Sequence, residues 1–169
     1  MSFYRRWWRS KRGECQECGE KLRPVIMSHA HGTCGEVETT FSGLPTLGCQ
    51  NPSHPKVFPY KDFGRQLLDA IFIAGELPAA IPQPNAALRC RGCGSSLEQP
   101  ESYTGSVETD LSAEKLHSFH IKIAGPVIQC PTCGLEQLVA GRHAREQVAG
   151  AMTAAFKQVG LVAAFVSPR

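Results

Sequence analysis

Four of the eight cysteines stand in two CxxC pairs, Cys90 with Cys93 and Cys130 with Cys133, separated by thirty-six residues, and a glycine follows each pair. A tetrahedral Zn2+ takes four such ligands, with Zn–S bonds of about 2.3 Å, and closes its coordination sphere. Two intervening residues let both sulfurs of a pair point inward. The following glycine, Gly94 or Gly134, tolerates the left-handed backbone that aims N–H groups at the sulfurs. The expected chemistry is therefore structural metal binding, and a tetrathiolate iron centre would use the same ligands.

A second set is less regular. Cys15 and Cys18 form a third CxxC pair followed by Gly19, but Cys49 begins CQNPSH, with Pro52 where the second cysteine of a pair would stand. His54 is the favoured replacement, giving Cys15, Cys18, Cys49 and His54, because imidazole is an accepted fourth ligand of structural zinc. His29, His31 and Cys34, in SHAHGTC, compete for that place. The internal repeat described next favours His54, since Cys34 has no counterpart in the second half. His117 and His120 read as surface or strand histidines.

Positioning these ligands is the task of a duplicated unit. CQECGEKL (15–22) matches CRGCGSSL (90–97), GEVET (35–39) matches GSVET (105–109), the Cys49 region aligns with the Cys130 region, and RQLLDAI (65–71) falls on EQVAGAM (146–152). Such ordered self-similarity marks two copies of one unit: a knuckle, strands, a second knuckle and a helix. Residues 36–41, 118–123 and 126–129 read as strands. Phe63, Leu67, Ala70 and Ile71, and then Val148, Ala151, Met152, Ala155, Phe156 and Val159, recur at helical steps and mark one apolar face each. The proline-bearing segment 77–87 reads as a linker between the copies. The expected architecture is α+β: a basic aromatic arm (1–14), a first module (15–76), the linker (77–87) and a second module (88–169). Each module is expected to have a small antiparallel sheet covered by its own C-terminal helix.

A module of this size buries little apolar surface, so metal binding is expected to supply folding energy. The opening MSFYRRWWRSKRGE has no apolar run or small-residue cleavage site, which points to a reduced, cytoplasmic chain, and no segment has the length of a membrane span. No GxxxxGK[ST], GxSxG or HExxH motif occurs, and CPTC at Cys130 lacks the upstream His-x-Glu of zinc deaminases. An enzyme would need an open metal site at Cys15, Cys18 and Cys49; the expectation is that the chain is not an enzyme.

Net charge is +3, concentrated in the arm, where Arg5, Arg6, Trp7, Trp8, Arg9, Lys11 and Arg12 interleave guanidinium and aromatic groups suited to phosphates and bases. The same tryptophans could instead pack on the first module. The acidic stretch 97–115 reads as a partner surface or as a solvated loop.

The CxxCG knuckles resemble those of the zinc-ribbon superfamily, which implies two structural Zn2+ ions but covers many functions. CRGCG and CPTCG also resemble the knuckles of bacterial double-CxxCG proteins, some of which act as immunity proteins, and the resemblance stops at CQNPSH. It implies a non-catalytic adaptor or immunity-type protein acting through a protein partner; nucleic-acid binding through the arm is the alternative.

Overall fold

The computed structural model describes residues 13–15, 17–60, 62–98, 101–112 and 118–160. Most of the arm, including all its basic and aromatic residues, lies outside the described residues, as do His117 and the apolar C-terminal segment.

Two long hairpins dominate the fold. Residues LRPVIMSHAHGTC form β1 (Leu22–Cys34) and VETTFSGLPTLGC form β2 (Val37–Cys49), joined by the two-residue turn Gly35–Glu36 and paired from Leu22↔Cys49 to Cys34↔Val37. Glycine at the first turn position suits so short a connection. The second half of the chain supplies β7 (Tyr103–Leu111) and β8 (Phe119–Gln129), paired from Tyr103↔Val127 to Leu111↔Phe119. Between them in the chain lie β3 (Val57–Phe58), α1 (Phe63–Phe72), β4 (Ile81–Pro82), β5 (Leu88–Arg89) and β6 (Ser96–Leu97); β9 (Glu136–Leu138) and α2 (Arg142–Gln158) complete the order.

The α+β composition expected from the sequence is observed, but the expected modules do not each form a sheet of their own. β2 and β8 pair antiparallel from Glu38↔Ala124 to Ser42↔His120, so the sheet runs β1-β2-β8-β7, with β3 beside the end of β2 and β9 beside the end of β8. An isolated two-stranded hairpin is marginal in water, and joining two at their inner strands gives both a common buried face.

One helix crosses over as well. α2, from the second half of the chain, lies against β1 and β2 of the first half rather than covering the hairpin that precedes it. Its small residues allow a backbone-to-backbone approach: a Cβ on Gly32 of β1 would stand 2.2 Å from the Ala155 nitrogen and 2.3 Å from the Ala151 oxygen. One on Gly150 would stand 2.5 Å from the Cys34 sulfur. The core is shared in the same way. Phe41 of β2, Phe156 of α2, Phe63 of α1 and Phe119 of β8 close a ring of four aromatic contacts, with centroid separations of 5.6, 5.9, 5.8 and 6.5 Å. Tilted pairs at such distances add about 0.5–1.5 kcal/mol each beyond their buried area.

Three local readings differ from expectation. Segment 77–87 is packed rather than a free tether: Leu77 and Ala79 are fully buried, Ala80 N–H donates to the Leu138 carbonyl, and Leu138 N–H donates to the Pro78 carbonyl. Its Ile81–Pro82 strand pairs with β5, and β5 with β6, making a small second sheet under the Cys90 knuckle. Proline is tolerated because this is an edge strand. The acidic stretch is neither wholly loop nor wholly surface, since 103–111 is strand β7 and Val107 and Leu111 enter the core. Finally, GEVET opens β2 whereas GSVET lies within β7, so this sequence match does not join equivalent positions.

Candidate metal centres

Each CxxCG segment folds into the same turn. Gly19, Gly94 and Gly134 have φ of 74°, 76° and 77°, a region that disfavours any residue with a Cβ. In each turn the glycine N–H donates to the carbonyl of the first cysteine, at 2.8, 3.0 and 2.8 Å. The first cysteine's own N–H closes the turn onto a carbonyl five residues ahead, that of Glu20, Ser95 or Leu135. The knuckle at Cys49 is wider: Cys49 N–H reaches the carbonyl of Lys56, seven residues ahead. Two extra residues in this loop, together with the longer imidazole, account for a ligand at His54 rather than at position 52.

The hairpins then bring the knuckles together. Each pair of strands runs away from its two knuckles and back, so the cysteines before β1 meet those after β2, and likewise around β7 and β8. Cys90, Cys93, Cys130 and Cys133 gather so that all four sulfurs lie within 4.8 Å of one another, and so do the ligand atoms of Cys15, Cys18, Cys49 and His54. The separations are 3.6 Å for Cys90–Cys133, 3.7 Å for Cys93–Cys130, 3.4 Å for Cys18–Cys49 and 3.2 Å from the Cys15 sulfur to His54 Nε2. A zinc tetrahedron with the usual bond lengths has S–S edges of about 3.8 Å and S–N edges of about 3.6 Å. A disulfide would need about 2.05 Å. All eight cysteines are free thiols, and both donor sets fit a four-coordinate metal ion.

Around the second centre the support is apolar and buried. Cys90 and Cys130 sit in a cluster with Ala80, Leu97 and Ile128. Gln137, fully buried on β9, donates to the Cys90 sulfur at 3.2 Å and accepts from Arg91 N–H at 2.9 Å. Arg91, between the two cysteines, donates from its guanidinium to the carbonyls of Ala79 and Phe72 at 3.1 and 3.0 Å, tying this knuckle to the end of α1. Cys93 contacts the Ser95 hydroxyl at 3.0 Å.

The first centre is held by charge. Glu17, between Cys15 and Cys18, places one carboxylate oxygen 3.2 Å from His54 Nδ1 and the other 2.5 Å from Lys56 Nζ. His54 therefore turns Nε2 toward the sulfurs and Nδ1 toward a carboxylate. Without a metal, the thiols split alike in both centres. Burial works to raise Cys15 and Cys90, but N–H donors outweigh it and both fall to about 6. For Cys49 and Cys133, N–H groups of Asn51 and Leu135 pull down, but burial and neighbouring sulfurs carry both up to about 11.

The competing first-centre ligands lie elsewhere. His31 Nε2 is 2.8 Å from Glu38 on the open face of the sheet, His29 is exposed, and Cys34 is half-buried against α2. His120, also on the open face, pairs with Asp110 at 2.8 Å and lies 3.6 Å from Glu108. Hydrogen bonding to Asp110 outweighs desolvation and raises its pKa. Sequence reasoning missed Glu17, Arg91 and Gln137. The first two stand inside CxxC pairs, where a charged residue is a signal that could have been read; Gln137 carries none. Among the described residues no helix is long and apolar enough to cross a membrane. Comparison with protein families, with curated proteins and with solved structures found no match.

Proposed function

We propose that this chain is a non-catalytic zinc protein that acts by binding another protein, an adaptor or immunity-type role in which two Zn2+ ions are structural staples. One observation carries the reading: each centre gathers four protein donors, the full set of a closed structural zinc, where a catalytic zinc keeps a position open. Three or four thiolates per site favour zinc or iron over harder metals. Support for a protein partner comes from the sheet face opposite the helices, where Glu38, Glu108, Asp110 and Lys122 stand exposed beside His120. This mixed, mainly acidic surface suits a protein better than a phosphate backbone.

Nucleic-acid binding through Arg5, Arg6, Trp7, Trp8, Arg9, Lys11 and Arg12 is the second reading, favoured by the composition of the arm alone. Reversing the charges of Arg5, Arg6 and Arg9 would abolish that binding and leave a sheet-face interaction intact.

Closure of the sites is tested by replacing zinc with Co2+ and adding azide or imidazole. The proposal expects no change in the visible spectrum, because neither centre has a free position. A shift assigned to the first centre would mean an open site at Cys15, Cys18 and Cys49 and would restore the metal-dependent enzyme.

A further inference from the structure

We infer that Glu17 is the positioning residue of the first metal centre, holding His54 in the tautomer and orientation that present Nε2 to the metal; the inference rests on the reading that this centre binds zinc. A neutral imidazole carries its proton on either nitrogen, and only the unprotonated nitrogen can be a ligand. The structure puts a carboxylate on one side alone; the sulfur on the other side is itself a ligand, and metal bound between it and Nε2 would leave no proton there. Glu17 Oε2 is 3.2 Å from Nδ1, while Nε2 faces the Cys15 sulfur at 3.2 Å. A carboxylate on Nδ1 keeps the proton there and leaves the Nε2 lone pair for the metal.

The carboxylate is itself directed. Its second oxygen is held by Lys56 Nζ, and the Lys56 backbone closes the wide knuckle, accepting from Cys49 N–H at 2.9 Å and donating to the His54 carbonyl at 2.8 Å. Glu17, Lys56 and His54 thus form a clasp between the Cys15 knuckle and the Cys49 knuckle. The Glu17 side chain is 53% exposed, so its charge is largely screened by water, and direction is what it supplies. The second centre needs no such device. Thiolates have no tautomers, its knuckles are short, and Gln137 reaches Cys90 from within the core.

The test measures Zn2+ affinity of each centre in the full chain, by competition with a chromophoric chelator, for the wild type, Glu17→Ala and Glu17→Gln. Glu17→Ala should weaken the first centre by about 10- to 100-fold and leave the second unchanged. Glu17→Gln, which keeps an acceptor for Nδ1–H, should recover most of that loss. The Co2+ charge-transfer band of the first centre should change in the alanine variant and return in the glutamine variant. A first-centre affinity within about twofold of wild type in Glu17→Ala, an equal loss at both centres, or a glutamine variant as weak as alanine would overturn the inference. A wild-type chain that binds zinc at the second centre alone would overturn both the inference and the function it rests on, before any substitution is made.

Discussion

The two candidate metal centres gather similar ligand sets in different surroundings. At the second, Cys90 and Cys130 are part of a small apolar core, and Gln137 and Arg91 connect the knuckle to β9 and to α1. At the first, Cys15 and Cys49 are buried as well, but Lys21 and Lys56 are exposed, and a carboxylate and an ammonium group steady the fourth ligand, His54. Similar coordination therefore carries different structural weight. Metal at the second centre would close a buried cluster joined to β9 and to the end of α1, whereas metal at the first would fasten the outer end of a hairpin that α2 covers.

That contrast can be broken directly. Cys90→Ala removes a ligand and the acceptor of Gln137 together, and is expected to lose one zinc and more than about 4 kcal/mol of stability in denaturant titration. His54→Ala should lose the other zinc at a cost on the order of 2 kcal/mol. Equal losses would mean that the centres are equivalent and the surroundings irrelevant. Gly32→Val, whose side chain would meet the α2 backbone, should cost about 3 kcal/mol or more. If the halves are interlocked as described, it should lower the stability of both centres, which a chelator-release assay on each would read. Arg91→Ala removes donors to the Ala79 and Phe72 carbonyls. It should cost about 1 kcal/mol and speed zinc release from the second centre only.

The smallest effect concerns neither centre and marks the baseline of the sheet face. His120 has its pKa raised in the folded chain, chiefly by Asp110, so its contribution is fully present below the ordinary value of 6.5 and fades as pH rises through the folded value. With the side chain 38% exposed, about a few tenths of a kcal/mol is expected. His120→Gln should flatten this part of the stability profile without altering zinc release from either centre.

What the sequence disclosed follows from the range of each interaction. The knuckles are local: CxxCG encodes its own turn, and the order of ligands along the chain was enough to single out His54 over His29, His31 and Cys34. The apolar stripes of α1 and α2 were legible for the same reason. Which hairpin α2 would cover was not, because Gly32 in β1 and Ala151 and Ala155 in α2 are far apart in sequence and carry no pattern that pairs them. The β2–β8 junction is hidden likewise, since Thr39, Phe41, Ile121 and Ile123 alternate as any half-buried strand would. Segment 77–87 misled because three prolines suggest a tether, while two alanines and a leucine small enough to pack against β9 look unremarkable.

The most direct test of the account is X-ray absorption at the zinc edge, combined with metal content, on protein purified without added metal. The account predicts two zinc ions per chain and a combined first shell of seven sulfur donors and one nitrogen, from the cysteines and the histidine of the two clusters. A single metal per chain, iron in place of zinc, or an oxygen donor in the first shell would contradict it.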